Sequence, residues 1–260
     1  MPRGIEIMSA LHLLIVGLAA VAGGAVNALA GGGTLITFPM LTAVGIPAVA
    51  ANITNTVALC PGYLGATFAQ MKDLRGQSLR LWLLLPVGVL GGIGGGIILL
   101  HTDNQIFRKI VPYLIIMAVV LVAVQDRVRS WLIRSTGKSE KVTLHDAWSI
   151  FPILPAAIYG GYFGAGVSVI VIAALGVVIE DSLTRLNALK QALSFSINIA
   201  AAIFFLFSGH VVWSAALIMA VGALAGGALG GRLAGRISPS MLRGIVIVIG
   251  SIVAAIYLIR

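Results

Sequence analysis

The sequence predicts an all-α, polytopic membrane protein built as two inverted repeats. Each repeat holds about five helical segments, with a short, broken second segment. Three observations predict this. Apolar runs recur along the whole chain, the two halves match at a nearly fixed offset, and the basic residues fall on alternate connections.

Composition excludes the soluble classes. Of 260 residues, 59% are hydrophobic and 10% charged, against about 25% charged in soluble domains. The longest polar stretch, residues 125–146, reads as a linker and is too short for a soluble domain. The single cysteine, Cys60, allows no internal disulfide and no thiolate metal cluster. The net charge of +9 does not point to nucleic acid, because Lys and Arg crowd into a few short loops, as in membrane proteins.

The segments follow in order. Residues 9–30 form the first apolar run. Arg3, the run itself and Ala28-Leu29-Ala30 together mimic a signal peptide. A counterpart later in the chain assigns the segment to the fold instead. Residues 34–45 form the short second segment. Its 12 residues would span only about 18 Å as a helix, well under a bilayer core. Residues 48–71, 81–100 and 110–124 complete the first half. The second half runs through 147–163, 167–179, 188–208, 211–231 and 245–259. The domains are therefore a first repeat at 1–126, a cytoplasmic linker at 127–146 and a second repeat at 147–260.

The repeat rests on matched landmarks. Gly31, Gly32 and Gly33 before an apolar piece match Gly164-Ala165-Gly166 before another, at an offset of 133. Val87-Gly88 matches Val221-Gly222 at 134, and Phe107-Arg108 matches Leu242-Arg243 at 135. Five segments per half is an odd number, so the second half should be inverted. With the N-terminus outside and every segment crossing, 13 of the 17 Lys and Arg fall on the inner side. If the short segments dip and return instead, the best split is 10 to 7. The positive-inside rule therefore favours five plus five, both termini outside, in a cell (inner) membrane.

The glycine clusters then acquire roles. Non-helical backbone in a membrane is tolerated only where protein or a water-filled cavity satisfies it. Gly31, Gly32 and Gly33 favour a break within the membrane, with Thr34 starting the next helix. A helix start presents free N–H groups and partial positive charge, which favours an anion. Gly164 and Gly166 would do the same in the second half, through Val167. The glycine runs at 91–96 and 226–231 instead read as close helix packing.

Polar stripes supply the rest of the candidate site. Asn27 accompanies the first break. Asn52, Asn55, Thr56, Tyr63, Thr67 and Gln70 share one face of the third segment. Asn187, Lys190, Gln191, Ser194 and Asn198 form a stripe in the second half. At an offset of 135, Asn52 falls on Asn187, Asn55 on Lys190 and Thr56 on Gln191. Arg185, five residues before Lys190, is expected to snorkel to water. The apolar runs hold no Asp or Glu, so a cavity lined by these groups suits an anion.

The stretch GGGTLITFPMLTAVGIPAVAANITNT, the polar segment after it and the second-half repeat together resemble the sulfite exporter TauE/SafE family of membrane permeases. The resemblance runs over nearly the whole chain. It is densest in 23–70, where the glycine cluster, Pro39, Gly45, Pro47 and Thr54 stand in the family's order, and looser through 160–166 and 185–187. It implies transport of sulfur-containing anions such as sulfite, thiosulfate or organosulfonates.

The expected function is a secondary transporter of small anions working by alternating access. Its substrate-binding residues would be Asn27, Gly31, Gly32, Gly33, Thr34, Asn52, Asn55, Thr56, Gly164, Gly166, Asn187, Lys190, Gln191 and Ser194. An anion channel and a metal or cation permease are the alternatives. No catalytic set of an enzyme is visible, and no cofactor or metal is implied. The expected partners are a small anion and the lipid bilayer, with glycine-rich faces also able to serve a homodimer.

Overall fold

A computed structural model describes residues 8–29, 32–135, 144–233 and 239–259. These form ten α-helices: α1 (Ala10–Leu29), α2 (Thr34–Ala43), α3 (Ala48–Ala69), α4 (Ser78–His101), α5 (Asn104–Ser135), α6 (Ile150–Tyr162), α7 (Val167–Val178), α8 (Leu183–Leu206), α9 (Trp213–Leu233) and α10 (Pro239–Ile259). All ten expected segments are therefore helices, and the chain is an all-α polytopic membrane protein. Six of them, α1, α4, α5, α8, α9 and α10, are long and apolar enough to cross a membrane. Large apolar side chains such as Trp82, Phe151 and Val221 lie on the outer surface, which suits a chain solvated by lipid tails.

Two segments differ from expectation. Helix α5 continues to Ser135, so the polar stretch read as a linker begins as helix. Its last turns keep an apolar side, with Val128 and Leu132 packed into the core beside α7. Helix α6 has only 13 residues, preceded by a 3-10 turn at Leu144–Ser149. It is shorter than the apolar run 147–163 suggested, because that run starts in the turn.

The helix breaks follow local chemistry. Gly32 between α1 and α2 has φ +88, and Gly164 and Gly166 before α7 have φ +76 and +75. This left-handed backbone is open to glycine and strained for other residues.

Packing sets the directions. Helix α1 runs parallel to α9, and α4 runs parallel to α6. Both pairs touch backbone to backbone. A Cβ at Gly226 would lie 2.0 Å from the Val21 carbonyl oxygen, and one at Gly95 would lie 2.0 Å from that of Ile158. These glycine runs therefore pack helices, as their sequence suggested.

The short helices start at mid-depth. Gly33 sits against Gly23 and Asn27 of α1. From there α2 runs back toward the face where α1 begins, and Thr42 near its end pairs with Tyr257 of α10. Helix α7 starts with Gly166 against Ala118 and Leu121 of α5, and Gly176 lies against Leu132 further along. It thus runs toward the opposite face. That face, the basic face, carries the α3–α4 turn and Lys72, Arg75, Arg80, Arg127, Arg129, Arg134, Arg185 and Arg243. The far face carries the α2–α3, α4–α5 and α8–α9 turns.

Two apolar cores lie between the faces. One gathers α2, α3, the start of α5, α9 and α10 around Phe38, Phe107 and Phe205. The other gathers α4, α6, α7 and α8 around Leu84, Ile153 and Leu193.

Candidate functional site

A cavity of about 810 Å³ enters from the basic face. Gln70, Asp73, Asp126, Leu183 and Arg243 stand toward its mouth. Deeper walls come from Gly24 and Asn27 of α1, Tyr63 of α3, Ser168 and Ile172 of α7, Lys190 and Gln191 of α8, and Gly227 of α9. Beneath it lies a polar pocket of about 10 Å³, roughly one water's worth of space. Thr34, Asn55, Thr56, Tyr63, Phe163, Gly164 and Asn198 line this pocket, and Leu59 and Tyr63 belong to both spaces.

The two helix breaks meet at this floor. The N–H groups of Leu35, Ile36 and Thr37 are taken by the carbonyls of Gly32 and Gly33. On the second break, Gly164 N–H donates to Tyr159 O and Val167 N–H to Gly164 O. Among the described residues, no carbonyl takes the N–H groups of Gly32, Gly33 and Thr34 on one side or of Ala165, Gly166 and Ser168 on the other. Tyr159 Oη braces the second break by donating to Ala165 O at 2.6 Å.

Helix α3 contributes a buried polar face. Thr37 Oγ1 donates to Asn55 Oδ1 at 2.5 Å, which turns the Asn55 amide toward the pocket. Thr56 Oγ1 donates to Asn52 O at 3.0 Å. Asn52 itself is fully buried and stands off the walls of both spaces. Its Nδ2 donates to Tyr162 O at 2.8 Å, and its Oδ1 has no partner.

Helix α8 contributes a more open face. Asn187, Lys190 and Gln191 line the large cavity. Lys190 sits seven residues into α8, and no hydrogen bond or ion pair reaches it from the described residues. Arg129 of α5 faces the same space and repels it. Asn198 reaches the small pocket, and its Nδ2 donates to Ser194 O at 2.7 Å. Ser194 Oγ is buried without a partner, away from both walls.

The structure thus brings Thr34, Asn55, Thr56 and Gly164 to the floor, and Asn27, Asn187, Lys190 and Gln191 to the cavity. Gly32, Gly33 and Gly166 shape the breaks rather than line either space. Gly31 lies outside the described residues.

Two groups were not anticipated from sequence. The first is an ion cluster at the basic face. Arg80, at 1% exposure, donates through Nε to Asp146 at 2.7 Å and through Nη1 to Asp181. Arg185 Nε bonds both Asp181 oxygens at 3.0 Å, and its Nη1 bonds Arg75 O at 2.9 Å. Arg185 stays partly exposed at the basic face. It clamps Asp181 and the α3–α4 turn, because a carboxylate partner stands four residues away. Burial by itself raises the Asp181 carboxyl, but hydrogen bonds from Arg80, Arg185 and Ser182 N–H outweigh it and hold it below its ordinary value.

The second group seals the far face. Phe163, beside the small pocket, stacks edge-on against Phe38 with ring centres 5.5 Å apart, and Phe107 lies 6.4 Å from it. Tyr162 closes on Phe107 at 5.7 Å. These aromatics come from α2, α5 and the end of α6, so no local pattern joins them.

Crossing helices around a one-sided polar cavity, with two broken helices starting at its floor, make the architecture of a polytopic membrane transporter. Comparison with known proteins agrees. The family model of the sulfite exporter TauE/SafE matches residues 15–258. A "Probable membrane transporter protein" of Haemophilus influenzae is 27% identical over 88% of each chain. The "Probable membrane transporter protein YfcA" of Escherichia coli is 23% identical over 95% of this chain and 90% of its own. The "Probable membrane transporter protein ORF9" of Sinorhizobium sp is 25% identical over 84% of this chain and 81% of its own. No solved structure matches the chain. The chain belongs to the sulfite exporter TauE/SafE family.

Proposed function

We propose that this protein is a secondary transporter of small, sulfur-containing anions (sulfite, thiosulfate or organosulfonates) that works by alternating access. One observation carries the reading. The starts of α2 and α7 meet at a polar floor with Asn55, Thr56 and Asn198, under a cavity that holds Lys190 and Arg129, neither ion-paired among the described residues. Helix starts and free cations both favour negative charge. The carboxylates lie at the mouth, where Asp126 is already paired with Arg243 at 2.6 Å.

The helix pairings support the reading of two inverted units. Helix α1 pairs with α9 as α6 pairs with α4, and α2 and α7 start at mid-depth and run to opposite faces. The distribution of basic residues supports placing the cavity mouth on the cytoplasmic side of the inner membrane. The aromatic seal at the far face weighs against an open channel. The described residues hold no group of three His, Cys, Asp or Glu that could take a metal ion, which weighs against a metal permease.

A thermal-shift screen of purified protein in detergent tests this, with sulfite, thiosulfate, sulfate, methanesulfonate, acetate and a divalent cation. A bound ligand raises the melting temperature by mass action. The expected result is a rise with a sulfur oxyanion or sulfonate that Lys190→Ala abolishes. A rise with acetate alone would remove the sulfur assignment. A rise with the divalent cation alone would overturn the anion reading.

A further inference from the structure

Asn52 and Asn187 occupy equivalent positions, 135 residues apart, yet their surroundings are opposite. Asn52 is fully buried, and its amide is tied to the last carbonyl of α6, at Tyr162. This bond joins α3 to the helix that leads into the second break. It lies on the far side, next to the aromatic seal formed by Phe38, Phe107, Tyr162 and Phe163. Asn187 is half-buried, lines the open cavity, and its side chain meets no partner among the described residues. The same offset carries Tyr162 onto Asn27, near the end of α1. Asn27 lines the cavity that Asn187 lines.

We propose that Asn52 and Asn187 are two reciprocal latches. Asn52 on the Tyr162 carbonyl holds the far side shut in the state described here. When the basic side closes, Asn187 takes the backbone carbonyl at Asn27, and Asn52 lets go of Tyr162. Each state then keeps one latch made and one open. The chemistry is favourable in both positions, since a buried carbonyl left without a donor is costly. Asn52 Oδ1, buried without a partner, marks the made latch as a strained choice of the closed side. The inference rests on the alternating-access reading and adds to it the pair of side chains that distinguishes the two states.

The test uses full-length protein with Cys60→Ala and a single reporter, Leu224→Cys, on the cavity wall of α9. The readout is its rate of reaction with a water-soluble maleimide, without ligand. Asn52→Ala is expected to slow the reaction by up to about fivefold, because losing a bond of about 1 kcal/mol frees the far side and favours closure at the basic side. Asn187→Ala is expected to leave the reaction as fast as wild type or faster. Slowing by both variants, or by neither, would overturn the latches. Should Asn52→Ala fail to fold, the pair Asn27→Cys and Asn187→Cys serves in its place. Mild oxidation should consume both thiols reversibly as the basic side closes, and persistence of both free thiols would overturn the proposal.

The alternating-access reading is judged separately, on the reporter protein without latch variants. A reporter that slows with methanesulfonate, while the Asn variants change nothing, would sink the latches alone. A reporter unmoved by every anion, with the far side still sealed, would sink the reading beneath them.

Discussion

Helices α3 and α8 carry the same kind of polar stripe, and the two stripes meet different surroundings. Asn52, Asn55 and Thr56 of α3 are buried, and the first two are held by hydrogen bonds from or to other helices. Their counterparts Asn187, Lys190 and Gln191 of α8 border an open cavity. The cause lies around the helices rather than in them. Four aromatic rings cover the α3 stripe toward the far face. On the other side, the matching places hold Ile172, Leu242 and the end of α1, none of them aromatic. An ion cluster anchors the start of α8 beside the cavity mouth. Under the alternating-access proposal, the two stripes would report which mouth is closed.

The largest expected effect comes from breaking the anchor. Arg80→Leu removes the buried guanidinium that bonds both Asp146 and Asp181, and should cost about 3–5 kcal/mol. Chemical or thermal unfolding in detergent would register it, and an unchanged melting curve would remove the cluster from the account. Next comes the seal. Phe107→Ala opens a void in the aromatic group and should cost about 3 kcal/mol. It should also make a cysteine at Ala51→Cys, fully buried beneath the seal, react with a water-soluble maleimide. A stable variant with an inert Ala51→Cys would mean that other residues close the far face.

A smaller effect sharpens the stripe itself. Thr37→Val removes the donor to Asn55 and should lower stability by about 1–2 kcal/mol. The same substitution should loosen the orientation of the Asn55 amide and weaken anion binding in the thermal-shift screen. The smallest effect is on acid stability. The Asp181 carboxyl is held below its ordinary value, so its contribution is complete above the ordinary carboxylate range. It is lost only as pH falls through the lowered value. Asp181→Asn should therefore flatten the most acidic part of a stability profile and leave its neutral part parallel to wild type.

Much of the fold was legible because helix periodicity and breaks are local. Gly32, Gly45 and Pro47 each mark a turn within a few residues of where the chain bends. The stripes of α3 and α8 were legible for the same reason, since residues three and four apart share a helix face. The partners of those residues were not. Arg80 meets Asp146 and Asp181 across 66 and 101 residues, and each reads alone as a loop charge. Asn52 looked like a cavity residue because its helix face is polar, but its depth depends on Tyr162, 110 residues away. The end of α5 was missed because its charges outnumber Val128 and Leu132, the apolar residues that pack it into the core.

The backbone contacts at Gly226 and Gly95 have one more consequence. Each joins a helix of the first half to a helix of the second, so close that no side chain fits between. A chain severed between residues 135 and 144 would yield two fragments, each missing the partner its tightest surface was shaped for. During synthesis, the deepest seam of the first half can close only once the second half has been made.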